Sequence, residues 1–194
     1  VEDMNFLINE VLDAEAVLGS LPAFEEFGIG AELTTALLDE AAKLAGEVLA
    51  PLRRVGDEQP ATCSDRKIQS SPGFEDALRQ LGAGGWIGIS SDANYGGQGL
   101  PEIYSTVGHE MWNSANLAFA LCPLLTQAGI EAMTKHANAE QKEKYLHKLV
   151  SGEWTGTMNL TEPQSGTDLG AIRTRSERKG DHYLLKGQKI FITW

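Results

Sequence analysis

The feature that most constrains the fold is a long helical pattern that begins at Pro101 and runs to about residue 150. Ile103, Tyr104 and Val107 start an apolar stripe with helical spacing, and Pro101 suits the first turn of a helix. Residues 117–125 are nearly all apolar, so we expect this stretch to be buried on every side. Such a helix needs other helices to cover it, which predicts a mainly helical core.

Two helical patterns precede this stretch. Apolar residues recur at helical spacing over residues 3–18, and we expect Gly19 to end that helix. A second pattern covers residues 31–50, where Pro51 should kink or end the helix because it lacks a backbone N–H. Residues 56–73 contain several chain breakers and are predicted to form a loop.

Two shorter helices complete the helical part. One is predicted near residues 73–81, and the last follows Asn138, which is spaced to form a capping box with Gln141. Gly152 should end this last helix. We therefore predict a helical domain over residues 1–153.

The character of the sequence changes after Gly152. Lys179-Gly180-Asp181 is typical of a hairpin turn, and short segments with β-branched and aromatic residues surround it. The predicted strands are 154–160, 173–176, 183–185 and 189–193. A few short strands form only an open sheet. We interpret residues 154–194 as the truncated start of a β domain, and the chain as the N-terminal piece of a longer protein.

Composition argues against several functions. The formal net charge of -11 disfavours binding to nucleic acid and to an anionic membrane surface. The sequence contains no run of about 18 or more apolar residues, so no transmembrane helix is predicted. Cys63 and Cys122 do not form a CxxC pair, and the histidines lack metal-ligand spacing, so no metal site is predicted. We expect two reduced thiols in a cytoplasmic protein. A disulfide between the two cysteines remains as an alternative.

The candidate site is the stretch 158–168, where a short strand meets a loop. Pro163 cannot donate to a strand ladder, and Gly166 permits a close approach by a ligand. The hydroxyls that can donate and accept here belong to Thr161, Ser165 and Thr167. Such a loop suits a polar, flat or phosphorylated ligand, but an ordinary strand and turn would use the same residues.

Two motifs in this region resemble the flavin-binding segments of the acyl-CoA dehydrogenases. The first is Leu160-Thr161-Glu162-Pro163 followed by Gly166-Thr167-Asp168, and the second is Gly187-Gln188-Lys189-Ile190-Phe191-Ile192-Thr193. Two motifs in the expected order and separation are more specific than either alone. The lead-in over residues 1–30 is similar to that of the 3-methylmercaptopropionyl-CoA dehydrogenase branch of the family.

The resemblance implies a fold and a cofactor. The fold is an N-terminal helical domain of acyl-CoA dehydrogenase type, followed by the start of a β-barrel domain, with a C-terminal helical bundle absent from the chain. The cofactor is FAD. The residues implied to bind it are Met158, Asn159, Leu160, Thr161, Gly166, Thr167, Phe191, Ile192 and Thr193.

The resemblance also assigns roles within this set. The backbone of residues 158–161 would lie along the flavin ring, with Thr161 bonded to its pyrimidine edge. Gly166 and Thr167 would meet the phosphates, and Thr167 would also touch the pantetheine arm of the substrate. Phe191 would lie against the ring, where many relatives have Trp, and a threonine hydroxyl would lie near flavin N5.

The implied activity is α,β-dehydrogenation of an acyl-CoA thioester in fatty acid metabolism. Electrons would pass to an electron-transfer flavoprotein, and the full-length enzyme would be a homo-oligomer. The family's base is a Glu of the C-terminal domain, so no catalytic residue is assigned and the fragment alone is expected to be inactive. Glu162 is interpreted as a structural turn residue. An acyl-CoA oxidase, a flavin monooxygenase and a non-catalytic helical interaction module remain as alternatives.

Overall fold

A computed structural model describes residues 1–25 and 27–193. The chain divides into two compact units, each with most of its residue contacts inside itself. The first, Val1–Gly156, is the helical unit, and the second unit is Thr157–Trp194. The predicted domain limits of 1–153 and 154–194 stay a prediction.

Seven α-helices and two π-helical segments are described in the helical unit. The π-helical segments are Leu7–Val11 and Leu44–Leu49. The helices are α1 (Glu2–Phe6), α2 (Ala14–Gly19), α3 (Ala31–Lys43), α4 (Ala50–Glu58), α5 (Phe74–Ala83), α6 (Glu102–His136) and α7 (Ala139–Val150). The prediction of a mainly helical fold is confirmed.

Helix α6 is the centre of the helical unit. It contacts α3, α4 and α7, and it buries the rings of Tyr104, Trp112 and Phe119 completely. The expectation that residues 117–125 are buried on every side is wrong, because Leu117 is 58% exposed and Leu124 is 41% exposed. These two leucines lie two turns apart on the side of α6 that the neighbouring helices do not cover.

A buried asparagine interrupts α6. Asn116 has non-helical backbone angles (φ -156°, ψ 87°), so the helix consists of two parts that meet at this residue. Its Oδ1 accepts a hydrogen bond from the backbone N–H of Phe119 (3.2 Å), which is the bonding of a helix N-cap. Its Nδ2 donates to the carbonyl of Leu49 (3.2 Å) and so ties α6 to the π-helical segment before α4.

By length and composition, α6 is the one helix among the described residues that could cross a membrane. The core helix of a folded domain meets the same criterion. The aromatic side chains of α6 are buried, and α6 contacts α3, α4 and α7, whereas Leu117 and Leu124 are exposed.

The first seventy positions depart from the predictions in three places. The predicted helix 3–18 is interrupted at Asp13, whose φ of 47° is left-handed. Of the kink or end predicted at Pro51, the end is wrong, because the helix continues to Glu58. The π-helical turns before Pro51 are wider than α-helical ones, which relieves the clash of its ring with the preceding turn. The predicted loop 56–73 contains a small antiparallel hairpin, β1 (Thr62–Ser64) and β2 (Lys67–Gln69).

The start and end of α7 match the prediction. Asn138 Oδ1 accepts from the N–H of Gln141 (2.9 Å), and Gln141 Oε1 accepts from the N–H of Asn138 (3.1 Å). This is the predicted capping box, which satisfies two of the donors that a helix start leaves unpaired. Gly152 follows the last turn with a φ of 76°, so the predicted stop is also confirmed.

The second unit contains one antiparallel hairpin, β3 (Arg175–Lys179) and β4 (His182–Lys186). Gly180, in its turn, has a φ of 66°, which confirms the predicted hairpin turn. The predicted strands 154–160 and 189–193 are wrong, since neither stretch forms a strand ladder. A backbone hydrogen bond runs nearby from the N–H of Ile190 to the carbonyl of Thr161, and a ladder needs a series of such bonds.

Both cysteines are free, with Cys63 exposed and Cys122 buried. The predicted free thiols are therefore confirmed, and the disulfide that was left open does not form. Burial raises the pKa of the Cys122 thiol to about 12, so this group stays protonated and unreactive.

The role of Asn116 predicts a specific loss of stability. Asn116→Ala removes the cap of the second part of α6 and leaves the buried carbonyl of Leu49 without its donor. We expect the free energy of unfolding to fall by about 2 kcal/mol in urea titrations followed by circular dichroism. The exposed Leu117→Ala should change it by less than about 0.5 kcal/mol, and equal losses in the two variants would contradict this account of α6.

Candidate functional site

The two predicted flavin segments lie side by side in the second unit. We call residues 157–168 the first segment and residues 187–193 the second segment. The N–H of Ile190 donates to the carbonyl of Thr161 (3.0 Å), and Lys189 Nζ donates to the carbonyl of Leu160 (2.8 Å). Farther along, the hydroxyl of Thr157 donates to the carbonyl of Thr193 (2.7 Å). Two segments separated by some thirty positions of sequence therefore form one surface.

A buried carboxylate holds this arrangement together. Glu162 is only 3% exposed, and both of its oxygens accept two hydrogen bonds. Oε1 accepts from the N–H of Thr174 (3.0 Å) and from Lys189 Nζ (2.9 Å). Oε2 accepts from the N–H of Arg173 (2.7 Å) and from Gln164 Nε2 (2.6 Å). We call these five residues the Glu162 clip.

The clip keeps Glu162 ionised. Hydrogen bonds from Thr174, Arg173 and Lys189 hold the pKa of the Glu162 carboxyl well below its usual range. A carboxylate with four donors and so low a pKa is a poor proton acceptor. The structure thus agrees with the interpretation of Glu162 as structural and gives it more partners than a turn requires.

Gly187 lets the second segment approach the clip. A Cβ at this position would lie 2.1 Å from the Thr174 hydroxyl oxygen and 2.8 Å from its Cα. Only a glycine fits at such a distance from another main chain. The glycine that opens the second motif is therefore required for packing against Thr174, two residues before Lys189 reaches Glu162.

The three candidate hydroxyls have different surroundings. Ser165 is buried and donates to the carbonyl of Asp168 (2.6 Å), so its hydroxyl stabilises the turn. Thr161 is half-buried and Thr167 is exposed, and neither hydroxyl has a hydrogen-bond partner among the described residues. Gly166 has open space where a side chain would stand. Two of the three hydroxyls therefore remain available to a ligand.

The backbone and aromatic groups of the surface are also available. Over the described part of the chain, no acceptor lies within hydrogen-bond distance of the backbone N–H groups of residues 158–161. Phe191 is 85% exposed and has a left-handed φ of 55°. Such backbone strain in a bulky residue often accompanies a binding role. The structure thus brings together the predicted set, and the role of each residue toward a cofactor stays a prediction.

The helical unit has a separate cleft of about 590 Å³, which the sequence did not indicate. His109 and Gln127 lie in its wall and hydrogen-bond to each other through Nε2 and Oε1. Gln127 Nε2 donates to the carbonyls of Trp86 (3.2 Å) and Ile87 (3.0 Å), which fixes the amide. His109 and Gln127 lie 18 positions apart on either side of the break in α6 at Asn116, which the sequence did not indicate, and they follow no known motif.

No metal centre is evident at either place. Within residues 1–25 and 27–193, no group of three or more His, Cys, Asp or Glu side chains is positioned to hold a metal ion. The groups available to a ligand in the second unit are backbone N–H groups, hydroxyls and an aromatic ring, and these suit a neutral ring system with polar edges.

Residues 32–153 match the model of the acyl-CoA dehydrogenase N-terminal domain. The chain belongs to the acyl-CoA dehydrogenase family. This confirms the resemblance that the sequence motifs implied. The match covers helices α3 to α7, so the motifs of the second unit lie outside it and are an independent indication of the same family.

A curated relative is similar over most of the chain. The chain is 41% identical over 160 residues to 3-methylmercaptopropionyl-CoA dehydrogenase of Ruegeria pomeroyi, which supports the predicted branch of the acyl-CoA dehydrogenase family. The alignment covers 82% of this chain and 27% of that protein. The chain therefore spans about a quarter of the length of this relative.

Solved structures share the fold. A glutaryl-coenzyme A dehydrogenase in complex with glutaryl-CoA has a TM-score of 0.71 at 25% identity, over 84% of this chain and 40% of that one. A structure of the electron transferring flavoprotein of Acidaminococcus fermentans, from work on flavin-based electron bifurcation, has a TM-score of 0.67 at 30% identity. It covers 81% of this chain and 39% of that one.

The low pKa of Glu162 predicts an acid-dependent loss of stability. The folded pKa lies below the unfolded value of about 4.3, so the carboxylate contributes fully above that pH. Its contribution is lost as the pH falls from about 4.3 toward the folded pKa. Thermal unfolding at pH 7, 4 and 3 should show a smaller decrease in Tm for Glu162→Gln than for the wild type. A parallel decrease in both proteins would show that Glu162 is not responsible.

Proposed function

We propose that this chain is part of an FAD-dependent acyl-CoA dehydrogenase that removes hydrogen from Cα and Cβ of an acyl-CoA thioester. The observation that carries the proposal is the contact between the two motif segments, joined by the bond from Ile190 N–H to the Thr161 carbonyl (3.0 Å). Family membership supplies the reaction class, and this contact supplies a surface suited to the cofactor.

The groups on this surface fit a flavin. Unpaired N–H groups of residues 158–161 and the Thr161 hydroxyl can bond the polar edge of an isoalloxazine ring. Phe191 offers an exposed aromatic face beside them. Thr167 and the open space at Gly166 suit the phosphates, and Thr167 would also contact the pantetheine arm. Bound FAD would supply the acceptor for the hydride that leaves Cβ.

The proposed protein would use acyl-CoA as substrate and an electron-transfer flavoprotein as electron acceptor, and it would work as a cytoplasmic homo-oligomer. The names of the relatives support the first two points, since one is an acyl-CoA dehydrogenase and another structure is an electron transferring flavoprotein. Within the described residues we assign no general base. Of the two acidic residues of the first segment, Glu162 and Asp168, the first is held ionised in the Glu162 clip.

The proposed cofactor can be tested by titrating FAD into the chain and following quenching of flavin fluorescence. Thr161→Val removes the hydroxyl while keeping the shape of the side chain. We expect it to weaken FAD binding about tenfold, as for the loss of one hydrogen bond. Thr106→Val, at an exposed position on α6, is the matched control and should bind FAD like the wild type. Absence of saturable binding by the wild-type chain would refute the cofactor assignment.

The proposal that these 194 residues lack the catalytic base can be tested by an activity assay. The 194-residue chain with FAD should not reduce an artificial dye when saturated acyl-CoA thioesters are added, because the family's base lies in its C-terminal domain. The measurement is dye bleaching against a sample without protein. Bleaching that depends on both the chain and acyl-CoA would show that a base is present within these residues.

A further inference from the structure

We infer that Glu162 is a positioning residue, which sets the register between the two flavin segments by holding Lys189 against the first segment. This inference rests on the proposed function for its consequence, the shape of the FAD surface. Its structural content, a carboxylate that ties the second segment to the first, concerns this chain's own residues alone.

The geometry gives Lys189 two partners on the first segment. Its Nζ bonds Glu162 Oε1 (2.9 Å) and the carbonyl of Leu160 (2.8 Å), and the next residue, Ile190, bonds the carbonyl of Thr161 (3.0 Å). Consecutive carbonyls of the first segment are therefore occupied by consecutive residues of the second. A slip by one residue would break all three bonds, so these contacts define a single register.

Glu162 is needed because it gives the Lys189 ammonium a buried partner of opposite charge on the first segment. The side chain of Lys189 is 22% exposed, and that of Glu162 is 2% exposed. A hydrogen bond from an ammonium to a carboxylate is stronger than one to a neutral carbonyl, so the bond to Leu160 alone would hold Lys189 less firmly. The remaining donors to Glu162, from Arg173, Thr174 and Gln164, fix the carboxylate so that it presents Oε1 to Lys189.

The clip acts separately from the hairpin of the second unit. Strands β3 and β4 are joined by five residue pairs of their own, and none of these pairs includes a member of the clip or a residue of either segment. Loss of Glu162 should therefore loosen the second segment without opening the hairpin. A residue that merely stabilised the unit would affect both.

The decisive measurement is amide hydrogen exchange by NMR on the complete 194-residue chain. In Glu162→Gln, the Ile190 amide should exchange at least about tenfold faster than in the wild type, while the β3 and β4 amides stay unchanged. Glu177→Gln is the matched control, since Glu177 is an exposed carboxylate in the same unit that pairs with Lys179. It should leave the exchange of Ile190 unchanged.

A second measurement connects the register to the cofactor. FAD binding should weaken about tenfold in Glu162→Gln and in Lys189→Met, and the double variant should be no weaker than either one, because both changes break the same link. Unchanged Ile190 exchange, an equal rise across the hairpin, or normal FAD affinity in Glu162→Gln would each overturn the inference. If the wild-type chain binds no FAD while Ile190 responds selectively, the proposed cofactor is wrong and the register role of Glu162 stands.

Discussion

A carboxylate withdrawn from water must be surrounded by donors, and the second unit is organised around this requirement. Glu162 obtains its donors from the loop that follows it, from the stretch before β3 and from the second segment. Within residues 157–193, no regular sheet links these parts, because the ladder formed there is the hairpin β3–β4. The hydrogen bonds of the Glu162 side chain, and not a strand ladder, therefore help to hold the two motif segments in one surface.

The helical unit follows a different principle. Here the apolar face of α6 must be covered, and α3, α4 and α7 supply the cover. Among its buried polar residues, Asn116 is tolerated because the amide is bonded at both ends, to the Phe119 N–H and to the Leu49 carbonyl. Burial of apolar surface stabilises the first unit, whereas hydrogen bonds to one charge define the second.

Much of this could be predicted from sequence. Periodicity and capping residues identified α5, α6 and α7, and the spacing of Gly180 identified the hairpin, because these signals are local. Contacts between distant residues left no local trace. Nothing near Lys189 indicates that it reaches Glu162, and Asn116 looks like an exposed polar residue on a helix. The continuation of the helix past Pro51 was not predicted for a related reason, since the π-helical turns before it have no composition of their own. The motifs themselves were visible only through family resemblance.

The two cysteines have an experimental consequence. Cys63 is exposed on the β1–β2 hairpin. Cys122, on α6, is buried, and its raised pKa keeps the thiol protonated. A maleimide dye or a spin label should thus attach at one place in the native protein without any engineered substitution. Because β1–β2 belongs to the helical unit, that label would report on its surroundings while the second unit keeps its natural sequence.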